Sequence, residues 1–229
     1  MLDSFVDCAH DALTSEALDA LWSRGVSDDQ IELFRLGYME GAPDNTPPSL
    51  GRFIRRYDIK QSHVLPLTNI LGNLTGIQFR SIHEKIKGYM TWHAPDFPEP
   101  TFFGLGQAAP HIWESEKVLL VEGAFDLFPC QRAEPATVAT QTATLTNSFA
   151  RLLHRLVGKA WFLYDRDSAG RKGFDEAKSA HGDLFHIESL RYPEAFLVDG
   201  KLAKDPADLW LAWGDDKLQA FLQEKMTDG

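Results

Sequence analysis

From Lys117 onward the chain alternates short apolar runs with helical segments, and this alternation constrains the fold more than any other feature. Val118–Val121, Thr137–Thr140, Ala160–Tyr164 and Leu184–Ile187 have the length of strands. Gly123 to Ala133 reads as a helix, although Pro129 within it lacks the amide that a helix interior needs. Phe149, Leu152, Leu153 and Leu156 stand at i, i+3, i+4 and i+7, with Thr146 or Asn147 as cap and Gly158 as stop. Arg171–Ala180 is a further helix, and Pro206 to Met226 a mostly helical tail. Strands and helices joined in turn by short links predict a parallel sheet covered by helices, an α/β fold.

The upstream half has a different texture. Leu18, Leu21 and Trp22 form one helical face that stops at Gly25. Ser27 and Gln30 have capping-box spacing and open a second helix, with Ile31 and Phe34 as its stripe and Gly37 at its end. Gly41 to Pro48 is a loop by composition, as is Asp96 to Pro100. Val64–Leu67 and Leu74–Ile82 flank Gly72-Asn73, the pattern of antiparallel strands joined by a turn.

The chain has 229 residues, 44% hydrophobic and 24% charged, ordinary for a globular protein. No apolar run approaches the roughly 20 residues of a membrane span. Met1-Leu2-Asp3-Ser4 has no basic region and no apolar core of a secretory signal. Two cysteines, Cys8 and Cys130, can build neither a disulfide framework nor a cysteine-rich zinc ribbon. A cytoplasmic location is expected. The net charge of −10 argues against a protein that simply coats nucleic acid. Residues 51–90, however, hold 7 basic residues (Arg52, Arg55, Arg56, Lys60, Arg80, Lys85, Lys87) against 2 acidic ones, which suggests a local anionic partner.

Acidic residues follow the strands. Glu122 succeeds Val118–Val121 and precedes Gly123; Asp165 and Asp167 succeed Ala160–Tyr164 and precede Ala169-Gly170. Asp205 and Asp208 lie in Lys204-Asp205-Pro206-Ala207-Asp208. Open α/β sheets bind ligands beyond the carboxyl ends of their strands, so Glu122 and Asp165 are expected at one edge. In extended chain the i, i+2 pair Asp165 and Asp167 points to one side. Carboxylates held this close repel unless one is protonated or a cation sits between them, and all-oxygen donors suit Mg²⁺ or Mn²⁺. Taken singly, each signal has a plainer meaning. Glu-Gly is a common turn, Asp-x-Asp a common helix cap, and Asp-Pro a common helix start with proline at its first position. Trp22, Trp161, Trp210 and Trp213 read as core; Trp92, near the basic segment, is the one candidate for stacking on a base.

In order, Val118-Leu119-Leu120-Val121-Glu122-Gly123, Asp165-Arg166-Asp167-Ser168-Ala169-Gly170 and Lys204-Asp205-Pro206-Ala207-Asp208 resemble the Toprim family. Ala17 to Tyr38, Val64 to Arg80 and Phe103-Gly104-Leu105 are similar to segments of the DnaG-type primase core, so the resemblance covers about residues 14–213. Two positions depart from the family pattern: Ala207 stands at the second Asp of the third motif, and Phe79 at the glycine before Arg80.

The resemblance implies a primase-core N-terminal subdomain over 1–113, a Toprim catalytic domain over 114–213 and a C-terminal helix over 214–229. It implies metal-dependent, template-directed synthesis of short RNA primers on single-stranded DNA from nucleoside triphosphates. Glu122, Asp165 and Asp167 would form the catalytic metal core, with Asp205 and Asp208 as secondary metal ligands. Lys204 would touch triphosphate, Arg80 and Lys87 nucleotide or template phosphates, and Arg52, Arg55 and Arg56 the template backbone. A replicative helicase or a separate template-recognition protein is the expected partner, and phage or plasmid replication the expected setting. The competing readings are a Toprim nuclease and a catalytically degenerate replisome adaptor or single-strand DNA-binding module.

Overall fold

A computed structural model describes residues 1–83, 88–97, 101–193, 197–198 and 201–227. The chain divides into two compact units, Met1–Thr101 and Phe102–Gly229.

The first unit begins with three helices, α1 (Leu2–Asp11), α2 (Ser15–Trp22) and α3 (Asp28–Leu33). Thr14 caps α2, and Ser27 with Gln30 forms the expected capping box on α3. Strand β1 (Gly37–Met39), helix α4 (Pro48–Arg56) and strands β2 (Ser62–Thr68), β3 (Leu74–Ser81) and β4 (Tyr89–His93) follow. The strands form an antiparallel sheet in the order β1-β2-β3-β4. The β2–β3 turn carries Gly72 at φ 79°, and the Asn69 side chain accepts from Leu71 N and Asn73 N at 3.0 Å each. Gly37 starts β1 and does not merely end α3: a Cβ there would lie 2.5 Å from the Ala9 carbonyl carbon, so α1 crosses β1 only over a glycine. Phe5, Val6, Ile54, Val64, Ile77, Phe79 and Trp92 share the core. Trp92 is therefore a core residue, and no base-stacking surface. Trp22 is the reverse case: it is 43% exposed, and its indole N–H donates to Asp28.

Two helices of this unit lie outside the segments that the sequence marks as helical. Helix α1 buries only Phe5, Val6 and Ala9, and α4 starts on Pro48 in a segment that reads as loop. Pro48 supplies helical φ at a position whose amide needs no partner.

The second unit comprises α5 (Leu105–Ser115), β5 (Lys117–Val121), α6 (Ala124–Ala133), β6 (Thr137–Ala139), α7 (Asn147–His154), β7 (Lys159–Phe162), α8 (Ser168–His181), β8 (His186–Ser189), the two-residue strands β9 (Leu197–Val198) and β10 (Lys201–Leu202), and α9 (Pro206–Thr227). Strands β5 to β8 form the expected parallel sheet, in the order β6-β5-β7-β8. Val118–Val121 and Ala160–Phe162 are fully buried, as strands covered on both faces must be. Helix α6 runs through Pro129, buried along most of its length. Arg132 on α6 pairs with Asp215 at 2.6 Å and tethers α9, which kinks at Gly214 (φ 72°). Helix α8 begins three residues before the periodic signal, because Asp167 caps it. Among the described residues no helix is long and apolar enough to cross a membrane.

Candidate active site

The chain leaves β5 toward β6 on one side and later returns to β7 on the other. The crevice between the ends of β5 and β7 is thus the point where strand order reverses, the usual ligand position in such sheets. Glu122 and Asp165 stand at those two ends. The Glu122 carboxylate accepts the Asp165 backbone N–H at 2.9 Å, which ties the two strand exits together. Burial, and then the charge of Asp167, raises the Glu122 pKa, while the Asp165 N–H opposes the rise.

Gly170 makes this approach possible. A Cβ there would lie 2.1 Å from the Asp165 carbonyl oxygen and 2.7 Å from Glu122 Oε1. The first turn of α8 therefore packs directly on the two acidic residues.

Asp165 has one carboxylate oxygen, Oδ1, that is buried and has no hydrogen-bond partner among the described residues. Its carboxyl is pushed up to about 7, by burial first and then by Glu122 and Asp205, with Lys204 opposing. Asp126, one turn into α6, belongs to the same cluster. One of its oxygens accepts from Gly123 N at 3.1 Å and the other from Ala207 N at 3.4 Å, so it joins α6 to the start of α9. Burial, then Asp205 and Asp165, raise its pKa far above the usual carboxylate range.

The remaining predicted carboxylates have local tasks. Asp167 is exposed and caps α8, accepting from Ala169 N at 2.8 Å and Gly170 N at 2.9 Å. Asp205 accepts from Asp208 N at 2.8 Å and pairs with Lys204 Nζ at 3.3 Å. Asp208 accepts from Lys204 N at 2.9 Å. A backbone bond of 2.6 Å from Arg166 N to Lys204 O holds this turn against the β7 exit.

The structure thus gathers Glu122, Asp126, Asp165 and Asp205, with Asp167 and Asp208 at the rim. Among the described residues no three acidic, His or Cys groups close into a finished metal cage. The chemistry of the set nevertheless fits a divalent cation. Its donors are all oxygens, Asp165 Oδ1 has no partner among the described residues, and Asp126, Asp165 and Asp205 repel one another. Sequence reasoning missed Asp126, because an acid in the first turn of a helix looks like ordinary dipole compensation. It also missed Tyr192, for which no local pattern exists. The Tyr192 hydroxyl is buried without a partner among the described residues, and its pKa is raised by burial and then by Asp126.

The predicted basic residues lie in the first unit, apart from Lys204. Arg80 ends β3 with its guanidinium 4.9 Å from the Tyr89 ring. Arg52, Arg55 and Arg56 are exposed on α4 at i, i+3 and i+4, so they share one helix face opposite Leu50 and Ile54. Lys87 lies outside the described residues.

Comparison with known proteins agrees with this geometry. Residues 119–208, the span that holds the strand-end acids, match the family model described as Toprim-like. The match extends upstream as well. A DNA primase of Chlamydia pneumoniae is 27% identical over 91% of this chain and 37% of its own length. A DNA primase of Deinococcus radiodurans is 28% identical over 95% of this chain and 40% of its own. The zinc-binding and RNA polymerase domains of the Aquifex aeolicus primase superpose with a TM-score of 0.77 at 24% identity, covering 97% of this chain and 59% of that one. The Escherichia coli primase catalytic core gives 0.75 at 20%, covering 97% and 77%. The chain is thus similar along nearly its whole length to DNA primases and shares the fold of solved primase catalytic cores. It spans well under half the length of the curated primases that it matches.

Proposed function

We propose that this chain is a nucleotidyltransferase that synthesises short RNA primers on single-stranded DNA. The observation that carries the reading is the acidic cluster at the β5–β7 reversal point, in a chain with the architecture of a primase core. A solved DnaG primase catalytic domain bound to single-stranded DNA shares that fold, with a TM-score of 0.75.

In the proposed reaction the 3′-hydroxyl of one nucleotide attacks the α-phosphate of the next, and pyrophosphate leaves. A bound Mg²⁺ or Mn²⁺ would lower the hydroxyl pKa and stabilise charge on the transferring phosphoryl group. Glu122, Asp165 and Asp167 are the proposed core of its binding site. Asp126 and Asp205 complete the set, and Asp208 orders the third-motif turn through Lys204 N.

The residues of the chain then have definite tasks. Glu122 fixes the backbone of Asp165, and Asp126 clamps the third-motif turn through Ala207 N. Lys204, charged beside Asp205, is the proposed contact for the triphosphate. Arg80 and the α4 arginines supply positive charge for template phosphates, which makes affinity fall with salt. A helicase or separate template-recognition protein is the proposed partner.

The test is nucleotide incorporation on single-stranded DNA templates with Mg²⁺ or Mn²⁺, beside the Asp165→Ala/Asp167→Ala variant. Short metal-dependent products from the native chain, reduced on the order of 10²-fold or more in the folded variant, are expected. DNA cleavage in place of synthesis would establish the nuclease reading. Intact DNA and no product on any template would reject the polymerase assignment.

A further inference from the structure

The parallel sheet has a second end. Strands β5 and β7 run toward the acidic cluster, so their first residues, Lys117 and Lys159, lie at the opposite edge, about 15–20 Å from it at the rise of a parallel strand. A cavity of about 440 Å³ opens there, within the usual range of roughly 300–1,000 Å³ for small-molecule sites. Its walls include Lys117, Lys159 and Trp161 from the two strands, Glu134 at the end of α6, and Gln223 and Met226 near the end of α9. None of the acids at the β5–β7 reversal point lines it.

Two observations point to an occupant. The first is charge. Lys117 and Lys159 are register partners on adjacent strands, so they leave the same face of the sheet and repel. Both ammoniums sit over the Trp161 ring, 5.6 and 4.5 Å from its centroid. Lys159 is answered by Glu188 at 3.1 Å, but that carboxylate also takes His186 at 2.7 Å. Lys117 forms no ion pair among the described residues. Glu134, the acid in the wall, accepts from the Ala136 amide at 3.3 Å and pairs with neither lysine among the described residues. The cavity therefore carries an excess of positive charge.

The second observation is an orphan donor. Trp161 is 1% exposed, and its indole N–H has no acceptor among the described residues. Buried donors ordinarily have a partner. Two ammoniums and an indole N–H all donate, and together they suit an acceptor that carries negative charge. Glu134 in the wall favours a single negative charge over a double one. Met226 suits an apolar stem behind that charge.

We propose that this cavity binds a small organic carboxylate, with its oxygens held by Lys117, Lys159 and the Trp161 N–H and its apolar stem toward Met226. The site is separate from the acidic cluster, and the proposal rests on neither the metal nor the polymerase reading.

The test is titration of the ¹⁵N-labelled chain with butyrate at constant ionic strength, followed through the indole N–H signals of its six tryptophans. The Trp161 signal, assigned through its own backbone resonances, is expected to move downfield and to saturate. Lys117 is exposed, so Lys117→Gln is expected to fold, which its melting curve checks. That variant should bind butyrate about three- to tenfold more weakly through loss of one charged donor. Butanol, which keeps the stem and lacks the charge, should leave the Trp161 signal in place. A Trp161 signal that butyrate does not move, equal butyrate affinity in Lys117→Gln, or inorganic phosphate binding as tightly as butyrate would overturn the proposal.

Discussion

Asp165 and Asp167 stand two residues apart in one motif, yet the exit of β7 and the start of α8 use them in opposite ways. Asp165 keeps one oxygen buried without a partner among the described residues, beside acids that raise its pKa. Asp167 faces solvent and satisfies two amides of the helix it caps. The third motif and the adjoining helix repeat the division. Asp126 and Asp208 both accept backbone amides, but Asp126 is desolvated among other acids that raise its pKa. The unspent oxygen of Asp165 among other acids weighs against the metal-free protein, whereas the cap made by Asp167 stabilises it, so the two residues should separate under mutation.

The largest effect is expected where the two regions touch. Gly170→Ala would bring a methyl group within 2.1 Å of the Asp165 carbonyl oxygen and 2.7 Å of Glu122 Oε1. Backbone must move, at a cost of about 1–3 kcal/mol for overpacking. Because Glu122 and Asp165 are the atoms displaced, Mn²⁺ binding should be lost with stability. A variant that melts lower yet binds Mn²⁺ as before would show that the α8 contact does not set the carboxylate geometry.

A second effect, reversible and without change of the backbone, follows from pH. Asp165 has a folded pKa of about 7, against about 4 in an unfolded chain. The native state therefore holds a proton that the unfolded state releases, and metal-free stability should decline as pH rises from about 4 to about 7. Asp165→Asn should remove that part of the decline and melt higher than the native chain at pH 8 in EDTA. Divalent metal should restore the native chain at the same pH, with affinity increasing across that window. Melting curves in EDTA and in Mn²⁺ at several pH values check the sign. An unchanged slope in Asp165→Asn would assign the pH dependence to other groups, of which Asp126 is the first candidate.

The division between inner and rim acids was only partly legible in the sequence. Runs such as Val118–Val121 are buried on both faces, so their apolar character alone marks them as central parallel strands. Once those strands are set, topology brings Glu122 and Asp165 together, and both residues were visible for that reason. Asp126 lies inside a helix, where an acid in the first turn looks like ordinary dipole compensation; only the fold brings it to Asp205 and Ala207. Helix α4 is strongly amphipathic, with Arg52, Arg55 and Arg56 opposite Leu50 and Ile54, but it is only nine residues long and starts within a proline-rich stretch that reads as loop. Which oxygen of a carboxylate is spent on a cap depends on where the next helix begins, and the periodic pattern began that helix at Arg171, past the amides that Asp167 holds.

The finest cut is within Asp167 itself. Its cap on α8 requires an oxygen acceptor and no charge, since Asn caps as well as Asp. Its proposed share in binding a cation requires the charge. Asp167→Ala should therefore cost about 1 kcal/mol of stability, the usual value of an N-cap, together with part of the Mn²⁺ affinity. Asp167→Asn should keep the stability to within a few tenths of a kcal/mol and lose affinity alone. The pair is read by chemical denaturation in EDTA and by Mn²⁺ titration. If Asn restores both properties, Asp167 is a cap and nothing more, and the metal core contracts to Glu122, Asp126, Asp165 and Asp205. If Asn restores only stability, one residue carries both the start of α8 and a charge of the site, which would explain why that helix begins where the strand-end acids converge.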